Sequence, residues 1–232
     1  MAQNQSLNRG LVRLAGISAL LAGACILEFA IVAQSKGIFF IDGVYQGASI
    51  DPWLQNVLAH PGLSRIIMVL PIIGFSSMFV LMRALLKVIA QDSWQKTLAL
   101  SGYSIGVPVV VLGFVMQLSL MNLMLVHGTR LDVMPTMKIV ATLQLLAFHV
   151  INDFIGPLFV IVLGTAMLAW AALKANALPR WICLWLMTCG VMVSLSFLAP
   201  LIPAIAILGL FAPLHMVGLV LLGVILLRRR WS

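Results

Sequence analysis

Six long apolar runs, about 14–33, 66–86, 98–126, 139–172, 181–198 and 204–227, alternate along the chain with short polar links. A hydrocarbon core of ~30 Å is crossed by about 20 apolar residues in helical form, so every run is long enough for one passage. Helix is the expected form, because a lone segment in lipid must satisfy its own backbone groups. The pattern predicts an all-α polytopic membrane protein, a six-transmembrane-helix bundle forming a single membrane domain over 1–232.

Local signals refine these elements. Ala15, Ala19 and Gly23 repeat at four-residue spacing in the first run, a small-residue stripe on which another helix can lie close. That run follows Arg9 and Arg13 as in a secretion leader, but it is too long for one and no A-x-A site closes it, so it reads as a retained span. The outer loop 34–64 contains Asp51-Pro52, the order of an N-cap and a first helical proline, followed by an apolar stripe of Trp53, Leu54, Val57 and Leu58. A short interfacial helix is predicted there, ended by His60-Pro61-Gly62. The run 139–172 exceeds one crossing, which predicts a strong tilt, a kink at Pro157, or first turns that project from the bilayer.

Composition and charge fix the class and the orientation. With 62% apolar and 9% charged residues, the chain departs from soluble domains, where about a quarter of residues are charged. Its net charge of +8 is spread beside the apolar runs, which points to topology and anionic lipid and not to nucleic acid. With the N-terminus inside, ten Lys and Arg residues fall on the cytoplasmic side and four, Lys36, Arg65, Arg130 and Lys138, outside. Both termini are therefore predicted to be cytoplasmic. Trp94, Trp170, Trp181, Trp185 and Trp231 fall at that same boundary, and Trp53 near the other. Cys25, Cys183 and Cys189, an odd number of thiols within spans, read as packing residues.

Against this background a few polar residues stand out, since ionisable groups at membrane depth are functional candidates. They are Glu28, the only glutamate, Gln117, His149, Asn152, Asp153 and His215. At 100° per residue His149, Asn152, Asp153 and Gly156 share one helix face. Counting ~1.5 Å per residue from the cytoplasmic boundary puts Glu28 roughly 21 Å up, Asp153 roughly 28 Å and His215 roughly 18 Å. Most of this polarity lies in the outer half. Pro157 lacks an N–H and would free the carbonyl of Asp153, beside that residue's own carboxylate. These groups either line an outward-facing polar pocket or hydrogen-bond between helices with no further role.

Metal chemistry would use His149 and Asp153 as two ligands, with Glu28 or His215 completing the set. Neither H-E-x-x-H nor H-x-x-x-H is present. A haem held by His149 and His215 would need matching heights, whereas the two are separated by roughly 16 Å. Nucleotide-binding and serine-hydrolase motifs are also missing from the sequence, so no cofactor is expected.

The order of Leu14-Ala15-Gly16, Glu28-Phe29, Leu63-Ser64-Arg65, Phe148-His149 and Leu178-Pro179-Arg180 resembles a bacterial family of six-span proteins, domain of unknown function 4386. The likeness runs over almost the whole chain. It implies the six-span architecture and a bacterial inner membrane, and it draws attention to Glu28 and His149. Members of that family are often acidic where this chain has His215, so no shared role for His215 follows.

The sequence favours a non-enzymatic membrane protein whose pocket binds or moves a small molecule, a lipid or a proton. Two other readings stay open: an accessory or assembly subunit of a membrane complex, and a metal-dependent intramembrane enzyme. Membrane lipids, a small-molecule ligand, and a membrane-protein partner or second copy of the chain are the partners these readings allow.

Overall fold

The structure, a computed structural model, describes residues 2–38, 49–89, 92–127, 134–199 and 201–228, without the side chains of 2–8, 134, 153 and 206. Arg130, Pro200, Arg229, Arg230 and Trp231 therefore lie outside the described residues, as does the side chain of Asp153. Among the described residues the chain is helical throughout, with α1 (Ala2–Ser35), α2 (Asp51–Ala59), α3 (Pro61–Val88), α4 (Trp94–His127), α5 (Met134–His149), α6 (Met167–Lys174), α7 (Arg180–Ser196) and α8 (Phe211–Arg228). Between α5 and α6 the chain is π-helical over Val150–Ile155 and Pro157–Ala166, and a 3-10 helix, Pro203–Leu210, precedes α8.

Five segments, Arg9–Ser35, Pro61–Val88, Trp94–His127, Pro135–Lys174 and Pro203–Arg228, are long and apolar enough to cross a membrane. The Arg180–Ser196 helix is apolar but has only 17 residues. The protein is an α-helical, multi-pass membrane protein.

Side-by-side packing joins the long segments into a closed ring, in the order α1, α3, α4, the π-helical stretch with α6, α7, α8 and back to α1. Small residues set these approaches, as close helix packing in lipid requires. A Cβ on Gly16 would come within 2.8 Å of Leu227, and one on Gly223 within 2.8 Å of the Gly16 carbonyl, so α1 and α8 touch almost backbone to backbone. Gly23 continues this contact against Met216 and Val220, while Gly74 of α3 receives Ile26. Of the predicted stripe, Ala15 and Ala19 are buried and Gly23 meets α8.

The short helix forms where the sequence placed it and buries Trp53, Leu54 and Val57. Its indole N–H donates to the Ile38 carbonyl at 2.8 Å, tying α2 beneath the end of α1. Gly37 makes that turn at φ +60, with Asn56 against the space a side chain would need, so glycine is required there. The cap differs from expectation: Ile50 is the N-cap residue, and the Ser49 hydroxyl accepts from the Asp51 N–H at 3.1 Å. Freed from capping, the Asp51 carboxylate reaches Lys138 of α5 at 2.6 Å. Its pKa is lowered, chiefly by the hydrogen bond from Lys138 and then by that from Ser49. His60 ends α2 as predicted, but Pro61 begins α3 at once, because proline is favoured in a first helical turn.

Candidate functional site

The fourth segment is the irregular one, and its irregularity has local causes. The Asn152 side-chain amide donates to the Phe148 carbonyl at 2.9 Å, taking the acceptor that an α-helix would offer to the Asn152 backbone N–H. Helical bonding shifts to the wider register, and the Gly156 N–H donates to the Ile151 carbonyl five residues back. In that register the carbonyl opposite Pro157 belongs to Asn152. More residues per turn means less rise per residue, so the π stretch takes up part of the surplus length of the 40-residue Pro135–Lys174 segment.

Glycines on α4 accept the widened helix. A Cβ on Gly102 would lie 2.6 Å from the Phe159 carbonyl oxygen and 2.7 Å from the Gly164 nitrogen; one on Gly106 would lie 2.6 Å from the Phe159 Cβ. Gly190 of α7 meets Ala166 from the other side. Within this contact the Tyr103 and Thr165 hydroxyls are 2.6 Å apart, and Thr165 donates to the Val160 carbonyl at 3.1 Å. The spacing Gly102-x-x-x-Gly106 was the sequence signal for this docking face, and it marks α4 as strongly as the alanine stripe marks α1.

Between α1, α3, α4, the π-helical stretch and α8, in the half nearer α2, lies a half-open cavity of about 310 Å³. Its wall comes from α1 (Ile26, Leu27, Phe29, Ala30, Gln34), α3 (Phe75), α4 (Val110, Phe114), the π-helical region (Asn152, Gly156, Pro157, Val160, Ile161) and α8 (Ala212, Pro213, Met216). Phe114 is its aromatic centre, packed edge-on against Phe29 and Phe148 at 5.2 and 5.1 Å and stacked near Phe75 at 5.9 Å. α1 and α8 interlock from Gly16 to Gly23, and the cavity lies beyond Gly23, between Leu27, Ala30 and Gln34 on one helix and Ala212 and Pro213 on the other.

Among the described residues the lining is mostly apolar. Among these described lining residues only Gln34 and Asn152 bring polar side chains, and none is charged. Of the six candidate residues, Asn152 lines the cavity. Glu28 is exposed on the outer side of α1, in one stripe with Leu14, Ile17, Leu21 and Ile31. Gln117 is buried within α4, its Oε1 atom without a hydrogen-bond partner among the described residues. His149 is fully buried beside Phe148 and is not in the lining.

His215 is likewise fully buried, with neither ring nitrogen hydrogen-bonded among the described residues, on the α8 face that carries Leu219, Leu222 and Leu226. The helical-face argument that joined His149 to Gly156 assumed 100° per residue, and the π register breaks that assumption: Gly156 lines the cavity and His149 does not. Among the described residues no three of His, Cys, Asp and Glu converge as metal ligands would.

The residues missed by sequence reasoning are those of the wall itself. Phe29, Phe75, Phe114, Val160 and Met216 look like ordinary span residues until the ring closes around them. Compared with family models, curated proteins and solved structures, the chain gives no match.

Proposed function

We propose that this protein is a non-enzymatic, multi-pass bacterial inner-membrane protein that holds a lipophilic molecule in its central cavity. The carrying observation is the cavity of about 310 Å³, with an aromatic and aliphatic wall and two carboxamide side chains in its described lining. Small-molecule sites have this character, mostly apolar with a few placed polar groups, and volumes from ~300 Å³ upward. The π-helical wall adds support, because such departures from α geometry are frequent at functional sites. A proton path or metal centre draws less support, since Glu28, His149 and His215 stand outside the lining.

Six crossings follow if the 17-residue Arg180–Ser196 helix spans as well, which its length permits at the lower end of ~17–25 residues. An even number of crossings puts both termini on one side, and the Lys and Arg distribution makes that side cytoplasmic. The cavity then lies in the outer half of the membrane. The resemblance to the six-span family agrees with this arrangement.

Native mass spectrometry of protein released from micelles and titrated with 1-dodecanol tests the binding reading. One bound molecule per chain is expected for the unaltered protein, and none above the nonspecific level for Ala30→Trp, which fills the cavity. Equal occupancy in both would overturn it.

A second reading, an accessory subunit, is favoured by one observation: Glu28 is an exposed carboxylate within an otherwise apolar stripe of α1. A partner helix offering a hydrogen-bond donor would relieve the penalty of a carboxylate facing lipid. Recovery of a larger complex after gentle extraction, dispersed by Glu28→Leu, would support this reading; a monomer in both cases would remove it.

A further inference from the structure

The half-open cavity has its mouth where the seam between α1 and α8 ends. Up to Gly23 the two helices interlock, and a Cβ there would collide with Met216 and Val220. Leu27, Ala30 and Gln34 follow Gly23 by four, seven and eleven residues, so they continue the same face of α1, but here that face lines the cavity. Its partner has turned away. The Pro203–Leu210 3-10 helix that leads into α8 packs on α7 and α8, with no comparable packing on α1 among the described residues. Exposure follows the same division: among the lining residues only Gln34 and Pro213 are exposed, one on each side of this gap, whereas Val110, Phe114, Gly156, Val160 and Met216 are buried on the floor. Ile31, Leu210 and Leu214 flank the gap and are exposed and apolar. In a multi-pass membrane protein such a rim meets hydrocarbon.

Resting on the lipophile-binding reading, we propose that the cavity takes one acyl chain of a phospholipid from the leaflet on the α2 side, admitted sideways from the bilayer between α1 and α8 while the head group stays outside. Water is a poor filler, since a held water needs about two to four polar partners. The described lining offers two carboxamides, and the Asn152 amide already gives a hydrogen to Phe148. An unfilled space would deny its wall the dispersion contacts that a hydrocarbon chain supplies. Along α1 the lining runs from Ile26 to Gln34, roughly 12 Å of helix rise, close to one leaflet's half of a ~30 Å hydrocarbon core. Beyond Gln34 the chain turns polar, with Ser35 and Lys36 exposed, so a head group at that level keeps its charge out of a lining that has no described counter-charge.

A lipid anchored in the bilayer reaches the buried floor only through a mouth that touches the bilayer, and this supplies the test. The whole protein is placed in phosphatidylcholine vesicles containing a phosphatidylcholine whose second acyl chain ends in a diazirine, irradiated, and mapped for modified residues. Label is expected at the buried Phe114, Val160 and Met216 in addition to lipid-facing positions. Ala212→Trp, which closes the mouth from the α8 side, is expected to lose the label at these three residues. Ile31→Trp, beside the mouth but outside the cavity, is expected to keep it. Label confined to exposed residues in the unaltered protein overturns lateral entry, and titration of the same protein with 1-dodecanol then separates the two claims: binding leaves the lipophile reading intact, and no binding overturns that as well. Floor label undiminished in Ala212→Trp overturns the α1–α8 mouth. Should that variant fail to fold, Leu27→Trp closes the mouth from α1 and is read in the same way, while the result on the unaltered protein stands by itself.

Discussion

Tyr103 of α4 and Thr165 of the π-helical stretch meet hydroxyl to hydroxyl at 2.6 Å, fully enclosed in the bundle. Thr165 donates onward to the Val160 carbonyl, so Tyr103 donates to Thr165 and the pair pins the widened helix where Val160 turns into the cavity. Tyr103→Phe removes the donor and keeps the ring. It is expected to destabilise the protein by about 1–2 kcal/mol, read as a lowered midpoint of denaturant unfolding, and to weaken 1-dodecanol binding. An unchanged midpoint would show that the pair does not hold the stretch in place.

Two glycines offer opposite outcomes. Gly102→Ala drives a methyl into the Phe159 carbonyl and the Gly164 nitrogen, both main-chain atoms that cannot swing aside, so a loss of about 1–3 kcal/mol or more is expected. Gly62→Ala, in the first turns of α3, meets nothing within 4 Å and is expected to be neutral or slightly stabilising. Melting curves of the two variants check this. Equal effects would contradict the close docking of α4 on the π stretch.

Acid sensitivity is expected at the α2 end. Asp51 has a lowered pKa in the folded protein because Lys138 and Ser49 bond its carboxylate. The stability it contributes is therefore present above the ordinary carboxylate range and is lost as the pH falls through the lowered folded value. Trp53, buried two residues away and bonded to Ile38, is a natural fluorescence reporter of α2 docking. Its emission is expected to shift red in acid below the usual aspartate range, and Asp51→Asn should remove that dependence. The effect should be small and weakened by salt, since the pair is about half exposed.

His215 presents both ring nitrogens to the interior without hydrogen bonds among the described residues. Replacing such a group by an apolar one of similar size is near neutral or stabilising. His215→Leu is expected to keep or raise the thermal midpoint and to leave 1-dodecanol binding unchanged. A marked loss of either would assign His215 a partner that this account does not give it.

Much of the architecture was legible from hydropathy, because the bilayer sets a length that apolar runs must meet and reveal. The span limits differ from the helices by only a few residues, and of the predicted stripe Trp53, Leu54, Val57 and Leu58 the first three are buried and Leu58 is half-buried. The site was legible only in part. Asn152 was singled out for polarity, but its role depends on a side chain that competes for the Phe148 carbonyl and on a register shift at Gly156, neither of which a fixed 100° per residue represents. Glu28 drew notice as a rare charge at depth, yet helix rotation, set by how α1 packs on α3 and α8, turned it outward. The cavity wall carries no signature of its own, since Phe114 and Val160 differ from lipid-facing neighbours only by where the ring places them.

The central claim, that a lipophile occupies the interior of the ring, is tested most directly by photolabelling the membrane-embedded protein with a long-chain alkyl diazirine and mapping the modified residues. The account predicts label at Ala30, Phe114, Val160 and Met216, displaced by excess 1-dodecanol. Label confined to outward residues such as Ile31, Leu112 and Leu143, and insensitive to the competitor, would contradict it.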